Sequence, residues 1–202
     1  MRKFIKFQII PLVILPLLFI ISCEKDKKDT GLPTDGDGNT YDTVVIGSQV
    51  WLTENLKTTT FRNGDPIPLV TDNSQWESMT SLAYCWYNND PSTYKDTYGA
   101  LYNWYAGRLD FMCPVGYHVP TKDDWTTLLN TLRDSPDSIT ESFKIIRAGW
   151  RDRYGGFRAH PGCWWISSPA YDINSAWRTD NDLTIGAMPN VVGFSVRCVK
   201  DD

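Results

Sequence analysis

The chain has 202 residues, 20 basic and 24 acidic side chains, a formal net charge of −4 at pH 7 and only two histidines. That length supports one domain with a substantial core. The acidic balance, with no run of basic residues to offset it, argues against nucleic acid as a partner and against direct adsorption on anionic lipid.

Residues 4–21 are almost wholly apolar, Arg2, Lys3 and Lys6 precede them, and Ser22-Cys23 closes the run. This pattern predicts a secretory leader over 1–22 with a lipobox, cleaved so that Cys23 becomes the lipidated first residue. An uncleaved membrane anchor opens in the same way, and the run is about as long as a short span. Pro11 and Pro16 would disturb a spanning helix, and a small residue followed by cysteine is the cleavage signal of lipoproteins. The expectation is an outer membrane lipoprotein, on the cell surface or the periplasmic face, held to the membrane through its N-terminal lipid in an oxidising compartment. Without the three basic residues of the leader, the mature chain carries 17 basic groups against 24 acidic ones, a net of −7.

Residues 23–40 then read as the lipidated cysteine and a flexible tether, since the stretch is charged and rich in Gly, Asp and Thr and has little to bury. The domain is predicted over 41–202. Thr43–Ile46 and Gln49–Leu52 flank Gly47-Ser48, which predicts a β-hairpin with a type II′ turn. Residues 60–75 are turn-rich. Ala83 to Tyr87 is a short aromatic strand, and Tyr98 to Ala106 has helical spacing that puts Leu101, Trp104 and Tyr105 on one face. After Pro120, Thr121 is an N-cap with Asp124 three residues on, a variant capping box. Trp125, Leu128, Leu129 and Leu132 follow at i, i+3, i+4 and i+7, and Pro136 stops the helix. Short strands are predicted over 163–167, 175–179 and 183–187. In the last, 192–199, Val192, Phe194, Val196 and Cys198 alternate onto one side. Trp164 and Trp165 are adjacent and face opposite ways, so one lies outside the core unless both sheet faces are covered.

All nine Trp and ten Tyr lie from Tyr41 onward. Aromatics make flat sugar-stacking and protein-contact surfaces, but a loop-rich domain with few Leu and Ile needs most of them for its core. Four cysteines remain beside Cys23, namely Cys85, Cys113, Cys163 and Cys198, and they allow three pairings. No Cys-x-x-Cys or Cys/His cluster is present, so no metal site is expected, and nothing implies a cofactor.

Several segments carry a resemblance. CPVGYHVPTKDDW (113–125) is similar to the CPxGWHVPTxxEW signature of the Fibrobacter succinogenes major paralogous domain. GFSVRCVKD (193–201) resembles its closing strand, and GSQVWLTENLKTTTFRNGDPIP (47–68) resembles its opening. AYCWYNND, TYGALYNWYA, AGWRD and CWWISSPAYDINSAW fit in order between them. The chain departs from the pattern in a shorter stretch between Leu132 and Ala148 and in Cys163, where Tyr or Gly is usual. The resemblance implies an α+β, C-type-lectin-like domain related to sulfatase-modifying enzymes, with small antiparallel sheets, one or two helices and long loops. It implies a Cys113–Cys198 disulfide joining the helix region to the last strand, which leaves Cys85 and Cys163 as a second pair.

The sulfatase-modifying activity does not carry over, because its two neighbouring cysteines are missing. A serine-type site finds no Gly-x-Ser-x-Gly; His118 sits in the signature turn and His160 in a loop. No catalytic residue is assigned, and the protein is read as not an enzyme. Asn88-Asn89-Asp90 and Asp180-Asn181-Asp182 cluster as calcium ligands do, but neither matches an EF-hand or a lectin calcium motif, and such triplets are most often turns. The candidate ligand-binding residues are Tyr171, Trp177 and Arg178, aromatic and arginine side chains among polar loops, although Trp177 fits a core position on its strand equally well. The expected function is a lipid-anchored envelope module that recognises a glycan or surface protein. The alternatives are a structural or assembly component of the outer envelope or a surface appendage, and, less favoured, an enzyme acting on polysaccharide, which would need two carboxylates across a cleft.

Overall fold

Thr43–Ile46 (β1) and Gln49–Leu52 (β2) pair antiparallel with Thr43 opposite Leu52 and Ile46 opposite Gln49. The turn between them has Gly47 at φ +60°, and Ser48 is outside the left-handed region, as a type II′ turn requires. The structure is a computed structural model describing residues 31–134, 143–159, 161–171, 174–180 and 184–202; residues 31–202 form one unit. The leader, Cys23, residues 24–30, Pro136, His160, Asn181 and Asp182 lie outside the described residues. Among the described residues, no helix is long and apolar enough to cross a membrane.

The ordered domain begins before Tyr41, which corrects the predicted tether. Thr34 bridges Thr40, and Asp35 is almost fully buried. Its Oδ1 accepts from the Asp37 and Asn39 amides, and the Tyr41 phenol donates to Oδ2 at 2.5 Å. A buried carboxylate needs such donors, so this acidic, glycine-rich stretch folds around Asp35.

Tyr84–Trp86 (β3) pairs with Ala100–Tyr102 (β4), and between them runs a helix, Pro91–Tyr98 (α2), after the short Asn73–Glu77 (α1). The predicted helix over 98–106 is therefore wrong. Asp90 caps α2, Gly99 at φ +72° ends it, and Asn103 caps a separate short helix, Trp104–Gly107 (α3). A side chain at Gly99 would meet the Leu56 carbonyl at 2.6 Å, so the chain must break there. The signal for α2 was Asp90-Pro91, an N-cap followed by proline at the first helical position.

Tyr117–His118 (β5) leads to Lys122–Asp134 (α4). The capping box is present: the Thr121 amide donates to Asp124 Oδ2 at 2.8 Å and the Asp124 amide to Thr121 Oγ1 at 3.2 Å. Trp125, Leu128, Leu129 and Leu132 are all buried. Trp150–Arg151 (β6) and Phe157–Arg158 (β7) form a small hairpin. Cys163–Pro169 (β8), Ser175–Asp180 (β9) and Ile185–Pro189 (β10) form a three-stranded antiparallel sheet in the order β10-β9-β8. Val199–Lys200 (β11) completes a four-stranded sheet, β1-β2-β11-β5, through Val199 opposite both Trp51 and His118. The molecule is α+β with small antiparallel sheets and few helices.

Residues 192–198 depart from the one-sided strand read from their alternation. Val192, Phe194, Val196 and Cys198 are buried, but so are Ser195 and Arg197. Gly193, Phe194 and Ser195 bridge Arg151, Tyr102 and Trp164 respectively, and the Leu56 amide donates to the Val196 carbonyl at 2.8 Å. The segment is a central connector touching successive neighbours, so both its faces are covered. Both faces of β8 are covered as well. Trp164 packs with Trp51 and Trp125 in one cluster, Trp165 with Phe194 and Tyr102 in another, and neither is exposed. Trp164 Nε1 donates to Asn55 Oδ1 and Trp165 Nε1 to the Tyr102 carbonyl, both at 2.7 Å.

Candidate functional site

Cys113 and Cys198 form a disulfide inside the largest apolar cluster. Cys85 and Cys163 do not pair, which corrects the expected second bridge. Cys85 lies on β3 in the cluster of Val70 and Trp76, whereas Cys163 opens β8 in the cluster of Trp165. Burial pushes each thiol up to about 12. His118 is an ion-pair tie. Its Nδ1 lies 2.8 Å from Asp201 Oδ1 and its Nε2 3.2 Å from Asp124 Oδ2, joining the α4 cap to the C-terminal residues. Asn88 and Asn89 adopt left-handed turn conformations, and Asp90 Oδ1 accepts from the Thr93 amide as the α2 cap.

The predicted ligand-binding trio is only partly assembled. Tyr171 is 85 % exposed and meets the Trp177 ring edge-on at 4.7 Å. Lys122 Nζ lies 4.6 Å from the centre of Trp177, whose other contacts are with the cluster around Trp125. Arg178 follows Trp177 on β9 and so points to the opposite face, where it bonds Asp180 and donates to the Thr184 carbonyl at 3.1 Å. Arg178 therefore contributes nothing to an aromatic platform on the Tyr171 side.

A better-formed concavity lies elsewhere. A cleft of about 370 Å³ is lined by Trp150, Asp152, Arg153, Tyr154 and Arg158 from the β6–β7 hairpin and by Met188, Pro189 and Val192 from the end of β10 and the segment after it. A second hollow of about 280 Å³ shares Arg153 and Pro189 with it and continues to Glu77, Tyr105 and Asn190.

The hairpin is pinned from below by Arg151, which is fully buried. Its Nε donates to the Gly155 carbonyl at 3.0 Å, Nη1 to Val70 O at 2.6 Å, and Nη2 to Thr71 O and Asn73 Oδ1, each at 2.9 Å. Oxygens in place of a carboxylate solvate the buried charge, and the planar fork of guanidinium suits several acceptors at once. The turn itself is organised by Asp152. Oδ1 accepts from the Tyr154 and Gly156 amides at 2.9 Å each, and Oδ2 accepts from Arg158 Nε at 3.0 Å and Nη2 at 2.7 Å. Partial burial opposes ionisation of Asp152, but the Arg158 and amide hydrogen bonds outweigh it and hold the carboxyl below its usual range. Arg153 lies over the Tyr154 ring, 4.6 Å from its centre, and bonds its hydroxyl. Trp150 rests against Phe194 at 5.8 Å. The exposed Tyr154 ring and two guanidiniums thus face solvent beside a half-buried Trp150, on a backbone fixed from within.

No part of the sequence reading singled out this cleft. The signal was WRDRY (150–154), three charged residues flanked by two aromatics between Gly149 and Gly155-Gly156, but Arg151 and Asp152 become legible as supports only once Val70, Asn73 and Arg158 are placed around them.

A family model described as the Fibrobacter succinogenes major domain matches residues 44–149, just over half the chain, so every residue lining the cleft lies beyond the matched stretch. No curated protein and no solved structure matches.

Proposed function

The chain belongs to the Fibrobacter succinogenes major domain family, and from the cleft it carries we propose that it is a binding module of the bacterial envelope, lipid-anchored at Cys23, that recognises a saccharide. In this reading the domain is lectin-like and the lipid holds it at the outer membrane. One observation carries the proposal: half-buried Trp150 and exposed Tyr154 flank a preformed cleft whose polar groups are already positioned by Asp152 and Arg151. Aromatic faces stack on sugar rings, and a site that is rigid before binding loses little entropy on filling. The acid in the cleft, Asp152, is spent on the turn and on Arg158, so the reading is binding and not hydrolysis, which calls on two available carboxylates.

The test is a glycan array followed by calorimetry on the detergent-extracted mature protein. Trp150→Ala and Tyr154→Ala should each weaken saccharide binding by about tenfold or more, and Tyr171→Ala should leave it unchanged. If no saccharide binds, or if only Tyr171→Ala abolishes binding, the cleft is not the site. Co-purification with a large envelope assembly, independent of Trp150 and Tyr154, would favour the assembly role instead.

A further inference from the structure

We propose that the cleft takes a sugar bearing a carboxylate, a uronic acid residue in an oligosaccharide, with Arg158 and Arg153 reading the carboxylate and Trp150 and Tyr154 carrying the ring. The proposal rests on the saccharide reading above and narrows its ligand.

The argument is an inventory of hydrogen-bonding capacity. A neutral sugar presents hydroxyls that both donate and accept, so its site must offer acceptors as well as donors. In this cleft the side-chain acceptors, Asp152 and the Tyr154 hydroxyl, are already engaged. The Asp152 carboxylate already accepts four hydrogen bonds, two from backbone amides and two from Arg158, which fills the roughly four lone-pair sites of a carboxylate. The Tyr154 hydroxyl already accepts from Arg153 Nη2. Met188 brings no conventional acceptor into the cleft.

What remains are donors. Arg158 uses Nε and Nη2 on Asp152, and its Nη1 has no partner among the described residues, while the side chain is 60 % exposed. Arg153 is exposed and spends one nitrogen on Tyr154. A donor-only surface fits an acceptor-only group, and guanidinium N–H pairs match the geometry of a carboxylate. Charge agrees. The cleft holds two arginines and one aspartate, a local excess of one positive charge on a chain whose formal net charge is −4. That contrast would concentrate an anionic group at this place on an otherwise repelling molecule.

The experiment compares three oligosaccharides of equal length on the detergent-extracted mature protein by calorimetry: oligogalacturonate, its fully methyl-esterified form, and a sulfated galactan that lacks carboxylates. Charge-assisted hydrogen bonds of about 1.5–3 kcal/mol correspond to oligogalacturonate binding at least about tenfold tighter than the ester, with the gap shrinking as salt rises. Arg158→Gln and Arg153→Gln should each narrow the gap between acid and ester. Because Arg158 also supports the turn, Arg153→Gln, whose hydrogen bond and ring contact among the described residues are with Tyr154, is the decisive variant if Arg158→Gln lowers the melting temperature. Equal affinity for acid and ester, a gap that survives both substitutions, or a preference for the sulfated chain would overturn the carboxylate assignment while leaving a saccharide site intact. Failure of every saccharide would instead remove the reading on which it rests.

Discussion

The guanidinium carbon of Arg151 lies 4.4 Å from the centre of the Trp76 ring, and neither side chain reaches solvent. Arg151 therefore ties α1, the strand region at Val70 and the β6–β7 turn into one block through charge, stacking and four oxygen acceptors. Arg151→Lys keeps the charge but replaces a five-donor fork with a compact ammonium. It should cost about 3 kcal/mol or more, since buried acceptors lose their donors, and it should weaken ligand binding with it. Urea denaturation reads the first effect; a loss below about 1 kcal/mol would show that Arg151 does not hold the turn.

Gly155 sits at φ +85° with a notional Cβ 2.7 Å from Asn73 Cα, whereas Gly64 at φ +88° has nothing within 4 Å. Gly155→Ala combines left-handed strain with a backbone clash and should cost about 2–4 kcal/mol. Gly64→Ala carries the strain alone, about 1–2 kcal/mol. Equal losses in the two variants would mean that the close packing under the cleft is not rigid.

The Cys113–Cys198 bond spans a separation of 85 residues. Replacing both by serine should lower stability by about 4–5 kcal/mol on the chain-entropy account, measured by denaturation without reductant. A thiol reagent should find Cys85 and Cys163 unreactive in the native protein, where burial pushes both up to about 12, and reactive without prior reduction once the chain is unfolded. A disulfide-linked Cys85–Cys163 peptide in a non-reducing digest would contradict the two-thiol arrangement.

The hydrogen bond His118 donates to Asp124, reinforced by Asp201 against the opposing effect of burial, raises His118 to about 9 from an ordinary 6.5. A raised folded-state value means that this tie contributes fully below pH 6.5 and is lost as pH climbs towards 9. Burial opposes ionisation of Asp124, but the His118 and Thr121 bonds together bring it down to about 2. Its contribution holds above its ordinary 3.8 and is lost as pH falls towards 2. His118→Gln should flatten the alkaline decline in melting temperature, and NMR titration of the imidazole checks the raised value directly. A His118 titrating near 6.5 would refute the tie.

The lipoprotein leader expected over residues 1–22 would entail acylation at Cys23. Intact mass of the membrane-extracted protein should match a chain starting at Cys23 with lipid attached, and Cys23→Ser should leave an unacylated chain. A wild-type protein found with a free, unmodified N-terminus would remove the anchor from the proposal.

Local patterns were sufficient for much of this molecule. The hairpin at 43–52 and the capped helix from Lys122 depend on neighbours within a few residues, so turn chemistry, capping and a four-residue apolar rhythm reveal them before any fold is known. The family resemblance likewise pointed to the Cys113–Cys198 partnership. Other outcomes were decided at a distance. Leu101 and Trp104 keep helical spacing, yet Gly99 lies so close to Leu56 that the chain breaks into strand and helix. Trp164 and Trp165 are both buried because separate clusters close over the two faces of β8, and Cys85 lies in a third cluster, with Val70 and Trp76, apart from Cys163 beside Trp165. The cleft is the extreme case. Its walls come from residues 150–158 and 188–192, and its foundation from Val70, Asn73 and Trp76. No local pattern records such a meeting, because the energy that holds it comes from contacts made only after the chain has closed on itself.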